Sequence, residues 1–106
     1  DIVYVENFIP SSLKTFVFDG ANSFQPCGEF DEINLETLIL INCNVFTMLK
    51  GNMITEIIQQ NKNPLKLLKI SRSTITEKTY NETIENESKI GRFESIKMRV
   101  VANVNE

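Results

Sequence analysis

The chain of 106 residues is 42% hydrophobic and 24% charged and carries a net charge of −3 at pH 7. This composition is typical of a soluble globular domain and does not point to a nucleic-acid or membrane partner. The chain contains no histidine and no run of about 18 apolar residues, which excludes histidine-based catalysis and indicates no transmembrane helix.

Four stretches of the chain share one spacing of apolar residues. They begin at Leu13, Leu35, Leu65 and Phe93, and the starts are 22, 30 and 28 residues apart. Each start is followed by apolar residues at the fourth and sixth positions and by a turn at the ninth. In the best preserved copy this turn residue is Cys43, which is small and able to form a hydrogen bond. Recurrence at such intervals predicts a stack of similar strand-and-turn units.

The spacing predicts four parallel strands near residues 15–19, 37–41, 67–71 and 95–99. Successive residues of a strand point to opposite faces, so the apolar positions should face a common core. The expected inward residues are Phe16, Phe18, Leu38, Leu40, Leu68, Ile70, Ile96 and Met98.

The segments that connect these strands differ in character. Residues 22–31 contain a proline and a glycine and no helical pattern, which predicts an irregular loop. The apolar residues within 52–60 fall on one helical stripe and predict a helix. A second, mostly solvated helix is expected over about residues 77–87, with Tyr80 and Ile84 one turn apart.

Residues between the inward positions should face outward and form columns across the strands. The first two strands then present an apolar patch, which is either a binding surface or a second buried face. The last two present basic side chains, which are either solvated or a site for an acidic or phosphorylated segment of a protein partner. The candidate partner-binding residues are Val17, Asp19, Ile39, Ile41, Lys69, Ser71, Arg72, Lys97 and Arg99.

The residue types of common catalytic and metal sites are absent or scattered. Cys27 and Cys43 lack the close spacing of a zinc or redox motif. The four glycines occur singly, so no phosphate-binding loop is indicated. We therefore expect no enzyme activity and no metal or cofactor, and we interpret Cys43 as a buried turn residue.

The stretch from Leu35 to Thr47, with Cys43 at the turn and Phe46-Thr47 after it, resembles a leucine-rich repeat. Residues 68–76 repeat this arrangement in part. The resemblance is to the cysteine-containing, ribonuclease-inhibitor-like subclass found in F-box substrate receptors, including divergent nematode F-box proteins. It covers about residues 13–101.

The resemblance implies an α/β solenoid of about four repeats, with a short curved parallel sheet and helical or irregular convex segments. Two of the expected turn residues, Ala21 and Val101, depart from the pattern because neither side chain can form a hydrogen bond. No F-box-like segment is recognisable in the chain itself.

The function implied by the resemblance is protein–protein recognition, as the substrate-binding part of an F-box-like adaptor. A second hypothesis is a purely structural role, as an internal or capping segment of a longer repeat array. A third is a small α+β domain that is not a solenoid. Parallel pairing of the predicted strands distinguishes the solenoid from that third hypothesis, which antiparallel pairing would favour.

The expected location is the cytoplasm or nucleus, because two cysteines make no disulfide framework and the N-terminal residues do not form a signal peptide. Two N-glycosylation triplets, at Asn81 and Asn86, keep a secreted protein as the alternative. Because the chain begins with Asp1 rather than Met, we expect it to be part of a longer protein or a processed product.

Overall fold

The structure is a computed structural model that describes residues 12–20, 33–43 and 53–102. These residues contain six short strands and two α-helices. The side chains of Met53 and Glu56 are outside this description. The elements are β1 (Thr15–Asp19), β2 (Thr37–Ile41), α1 (Met53–Gln60), β3 (Leu67–Ser71), β4 (Thr74–Thr76), α2 (Glu77–Glu85), β5 (Phe93–Ile96) and β6 (Arg99–Val101), with a 3-10 helix at Glu87–Lys89.

Four of the strands form one parallel sheet in the order β1-β2-β3-β5. Its register aligns Thr15 with Thr37 and Thr37 with Leu67, so the first three strands pair without any stagger. These strands have the bounds that the apolar spacing predicts, and the parallel pairing is confirmed. The protein is therefore a mixed α/β structure built on a short parallel sheet.

A turn follows each of β2, β3 and β5, and each of the three turns begins with a residue of positive φ. Asn42, Arg72 and Lys97 have φ values of 54°, 51° and 54°. The hydrogen bonds continue across the turns, since the N–H of Asn42 donates to the Ser71 carbonyl and the N–H of Arg72 to the Ile96 carbonyl. After the turns, β4 and β6 form a second parallel sheet of two strands.

The core lies between the four-stranded sheet and α1. The inward residues of the sheet alternate with outward ones, as a strand requires, and helix α1 contributes three buried isoleucines from one face. Burying each such side chain stabilises the fold by roughly 1.5–3 kcal/mol. The buried hydrophobic residues are Phe18, Ile33, Leu35, Leu38, Leu40, Cys43, Ile54, Ile57, Ile58, Leu65, Leu68, Ile70 and Ile75.

Helix α1 agrees with the sequence prediction, whereas α2 turns a different face inward from the one expected. Thr79 and Thr83 are buried, Tyr80 is half-buried, and Ile84 is 40% exposed. The two threonines are accommodated because their hydroxyls form hydrogen bonds. Thr83 Oγ1 donates to the Thr79 carbonyl at 2.8 Å, and Thr76 Oγ1 caps the helix by accepting from the Thr79 N–H at 3.2 Å.

The fourth strand has a different register from the predicted one. Phe93 pairs with Leu68, and Ile90 forms a bridge with Leu65, so the stretch equivalent to Leu65–Ser73 starts at Ile90 rather than at Phe93. A shift of three residues reverses the two faces of a strand. Phe93 consequently packs against the core, and Ile96, which was expected to face inward, is 48% exposed.

Phe93 and Met98 pack against the core in the observed register, as the prediction also required, so the apolar difference is that Ile90 is partly buried in place of Ile96. The physical reason is that backbone pairing already begins at Ile90, because the Leu65 N–H donates to the Lys89 carbonyl and the Gly91 N–H donates to the Leu65 carbonyl. Met98 is still partly buried. It follows the turn residue Lys97, just as Cys43 follows Asn42 and Ser73 follows Arg72 in the two preceding turns. Val101, which was expected at a turn, lies in β6.

Several predictions concern segments outside the described residues. These are the irregular loop at 22–31, the turn position of Ala21, the thiol of Cys27 and the Phe46-Thr47 pair.

Candidate recognition surface

The outward side of the four-stranded sheet, which we call the outer face, carries a column of Thr15, Thr37 and Leu67 at the strand starts and two further columns nearer the turns. The register places Val17, Ile39, Lys69 and Glu94 side by side across the four strands. Val17 is 50% exposed, and the other three are half-buried. The column therefore changes from apolar on β1 and β2 to a pair of opposite charges on β3 and β5.

The second column lies two residues further along each strand, close to the turns. It consists of Asp19, Ile41, Ser71 and Ile96. Ile41 lies on the same face as Ile39 and extends the apolar area towards the turns. Since Ile39 and Ile41 are half-buried and Val17 is exposed, these three side chains form a patch that described residues leave open to solvent. We call Val17, Ile39 and Ile41 the apolar patch.

Three cationic side chains lie at the turns that end β3 and β5. Arg72 and Lys97 occupy equivalent positions of neighbouring turns, because the residues just before them, Ser71 and Ile96, are paired in the sheet. Arg99 follows at the start of β6, and its N–H donates to the Ser73 carbonyl at 2.8 Å. All three cations are exposed. We call Arg72, Lys97 and Arg99 the basic edge.

The predicted partner-binding residues fall into two groups in the structure. Six of them lie on the outer face, which are Val17, Asp19, Ile39, Ile41, Lys69 and Ser71. The prediction that Lys97 and Arg99 continue these columns is wrong. The shifted register of β5 puts Glu94 and Ile96 in those places and moves Lys97 to a turn and Arg99 to the second sheet.

Two outer-face residues, Glu94 and Ile96, were not among the predicted site residues. The signal that could have found them is the spacing of Ile90 and Phe93, which repeats the first two apolar positions of the Leu65 stretch. Ser95 stands where the third apolar residue is expected, and this polar residue hid the match. Glu94 also forms an ion pair with Arg92.

Cys43 lies beneath the outer face, at the turn after β2, and is a free, buried thiol. Its Sγ contacts the Phe18 carbonyl of the neighbouring strand at 3.7 Å and the Ile41 carbonyl at 3.5 Å. Ser73 occupies the same place one turn later, where its hydroxyl donates to the Ser71 carbonyl at 2.8 Å and accepts from the Cys43 N–H at 3.1 Å. The interpretation of Cys43 as a buried turn residue is confirmed.

Burial raises the pKa of the Cys43 thiol, because desolvation disfavours the thiolate more than the nearby backbone N–H groups and the Ser73 hydroxyl favour it. The unfolded chain therefore loses this proton at a lower pH than the folded chain. The resulting prediction is that the free energy of unfolding is unaffected by this group below about pH 8.5 and falls as the pH rises above it. Urea unfolding from pH 7 to 10 in a Cys27→Ser background measures this.

The control is Cys43→Ala in the same background. Because this variant lacks the thiol, its free energy of unfolding should fall less between pH 7 and 10 than that of the protein with Cys43. Identical alkaline slopes in the two proteins would contradict a raised thiol pKa.

Within residues 12–20, 33–43 and 53–102, no group of three or more His, Cys, Asp or Glu side chains is placed to hold a metal ion. Neither of the two helices there has the length and apolar character needed to cross a membrane. In comparisons with known proteins, no family model, no curated protein and no solved structure matches the chain.

Proposed function

We propose that this chain is part of a leucine-rich-repeat solenoid that recognises a protein partner through the outer face of its parallel sheet. The observation that carries the proposal is the apolar patch. Its three aliphatic side chains lie together on β1 and β2. Strand β2 is paired with a strand on each side, and inward side chains of both strands are buried in the core. Exposed apolar groups on a rigid surface are a common feature of protein interaction sites.

The repeat architecture is supported by the equivalence of successive turns. Three left-handed residues, Asn42, Arg72 and Lys97, end strands that pair in parallel, and the chain then continues into β4 and β6 after two of them. In repeat proteins of this kind, neighbouring units bury a continuous core and leave one strand-lined surface for binding. The pattern of buried inward and half-exposed outward residues on β1 to β3 fits that division.

The narrower role that we propose is the substrate-binding part of an F-box-like adaptor. Such a role needs recognition of another protein and no catalytic group in the recognition unit itself. The described residues are suited to the recognition part of this role, since the outer face combines apolar and charged side chains. This part of the proposal rests on the resemblance of the Leu35–Thr47 stretch and not on a site.

One observation favours the structural alternative, in which the segment only connects or caps other repeats. β5 is the last strand of the four-stranded sheet, and its outer edge has no strand partner among the described residues. Ile96 on β5 and Val100 on β6 are both more than one third exposed at this end. A further unit packed there would cover them without involving the apolar patch on β1 and β2.

The test of partner recognition compares two charged substitutions at aliphatic positions of similar exposure. Val17→Glu places a carboxylate in the apolar patch, whereas Ile84→Glu places one on α2, away from the sheet. Both should change the free energy of unfolding by no more than about 0.5–1 kcal/mol, because both side chains are already substantially exposed. Circular dichroism and thermal unfolding check this.

The tagged chain is used to capture proteins from an extract of its source cells, and a partner retained by the wild type is then purified. Isothermal titration should show that Val17→Glu weakens binding of that purified partner by at least about tenfold, because a charge is buried against an apolar contact. Ile84→Glu should bind as the wild type does. Equal binding by the wild type and Val17→Glu, or equal loss by both variants, would refute recognition through the apolar patch.

A further inference from the structure

The basic edge concentrates positive charge at one place on a chain whose net charge is −3. Arg72 and Lys97 end adjacent strands at equivalent positions, and Arg99 lies two residues beyond Lys97. Among the described residues, Lys66 pairs with Glu36 and Arg92 with Glu94, and neither ion pair involves the basic edge. These three charges are thus available to a molecule that approaches the turns.

The backbone gives an independent reason to assign a role to two of these cations. Arg72 and Lys97 have left-handed φ values of 51° and 54°, a conformation that most side chains adopt less readily than glycine does. The equivalent turn after β2 uses Asn42, a residue that tolerates this conformation well. Long cationic side chains at such positions bring no conformational advantage to the turn, so their charge is the feature to be explained.

The backbone donors at this edge indicate which anion would fit. The N–H groups of Arg72 and Arg99 are already donated to the Ile96 and Ser73 carbonyls, both at 2.8 Å. A phosphate site normally adds free backbone N–H groups to its cations, so that several donors converge on one anion. Here Arg72 and Lys97 stand on separate turns, and the amides of Arg72 and Arg99 are occupied. This arrangement suits several carboxylates spaced along a chain better than a single phosphate.

We propose that the basic edge binds an Asp- and Glu-rich segment of the protein partner, an inference that rests on the proposed recognition function. The segment crosses the ends of β3 and β5 and contacts the three cations in turn. Ile96, which is 48% exposed and directly precedes Lys97, provides an apolar contact beside the charges. Lys69 is not part of this site, because it lies on the sheet opposite Glu94.

The test titrates the purified chain with a fluorescein-labelled poly-glutamate peptide and follows fluorescence polarisation at low ionic strength. In the edge variant, Arg72, Lys97 and Arg99 are all replaced by Gln. In the control variant, Lys14, Lys62 and Lys89 are replaced by Gln, which removes the same number of charges from exposed positions elsewhere. Binding should weaken about tenfold in the edge variant and less than about twofold in the control.

A second variant separates charge from folding. Arg72→Gly with Lys97→Gly relieves the left-handed conformation, so it should unfold at a higher temperature than the wild type while binding poly-glutamate several-fold more weakly. In the wild type, amide resonances of the three basic-edge residues and of Ser73 should shift on peptide addition. Raising the salt concentration should weaken binding in parallel, because exposed charges are screened.

The proposal would be overturned by equal weakening in the edge and control variants, by unchanged binding in the glycine variant, or by the lack of any binding. It would also be overturned if a phosphoserine peptide or an oligothymidylate of matched charge bound about tenfold more tightly than poly-glutamate through the same residues. Because the titration needs no natural partner, its failure rejects the basic edge alone. Failure of the Val17→Glu comparison instead rejects the recognition face.

Discussion

Replacing Asn61 by alanine is expected to lower the free energy of unfolding by about 2–4 kcal/mol, although Asn61 lies in a polar connecting segment. Its side-chain amide forms two hydrogen bonds to the backbone of Leu35, a residue 26 positions earlier. Asn61 Oδ1 accepts from the Leu35 N–H at 2.6 Å, and Nδ2 donates to the Leu35 carbonyl at 2.8 Å. Leu35 itself is buried.

The size of this effect follows from what alanine would leave behind. The Leu35 N–H and carbonyl would lose their partners, and buried backbone groups without partners cost about 1–3 kcal/mol each. The same amide also donates to the Asn63 carbonyl at 2.7 Å, which ties the end of α1 to the segment before β3. The single side chain thus joins the approach to β2 with the approach to β3.

Urea unfolding followed by circular dichroism measures the change, and the midpoint should fall without a change in the m-value. Asn63→Ala is the matched control. The Asn63 side chain forms an exposed hydrogen bond to Asn34 Oδ1 at 2.9 Å, so its loss should change stability by no more than about 0.5 kcal/mol. Similar effects of the two substitutions would contradict a special role for Asn61.

The sequence was sufficient to predict β1, β2 and β3, because their inward positions are filled by large apolar residues at alternating places. Leu38 and Leu40 illustrate this, since each is flanked by residues of the other face and both are fully buried. Parallel pairing in register then follows from burying these rows against one core. Helix α1 was predictable for the same reason, as Ile54, Ile57 and Ile58 form one stripe.

The fourth strand could not be assigned correctly from spacing alone. Two registers of the segment from Ile90 to Met98 each place apolar residues at most of the inward positions. The choice between them depends on whether Ile90 or Ile96 packs against the core, which is a tertiary effect. Helix α2 shows the same limit, because Thr79 and Thr83 are buried through hydrogen bonds that amphipathic patterning does not register.

The candidate site was predictable to the extent that its strands were. Val17, Ile39 and Ile41 lie together as expected, because they depend only on β1 and β2. Lys97 and Arg99 depend on β5, and the error in its register placed these two residues on the wrong surface. Asn61 was also missed, since nothing local in the sequence indicates that its amide reaches Leu35.

A second large effect is expected at Gly20, directly after β1, where alanine should lower the free energy of unfolding by about 2–3 kcal/mol. A Cβ atom there would lie 2.6 Å from the Asn42 carbonyl oxygen and 2.8 Å from Cys43 Cα. Both are backbone atoms of the next turn and have no rotamer to change. The turn after β1 would have to move away from the turn after β2.

Gly91→Ala is the control, because the new Cβ would meet backbone atoms at longer distances. It would lie 3.1 Å from the Lys66 carbonyl oxygen and 3.3 Å from that of Leu65, which small shifts of a few tenths of an ångström can relieve. Alanine also restricts the unfolded chain, which offsets part of the remaining strain. The net change at Gly91 should therefore stay within about 1 kcal/mol.

Urea unfolding again gives the free energies, and the reactivity of Cys43 gives a local measure. In a Cys27→Ser background, moving the first turn would weaken the contact between Cys43 Sγ and the Phe18 carbonyl, which measures 3.7 Å. Gly20→Ala should therefore increase the rate at which the thiol reacts with a disulfide reagent, whereas Gly91→Ala should not. Equal destabilisation by the two substitutions, with equal protection of Cys43, would contradict the inference that Gly20 is needed for the close packing of the first two turns.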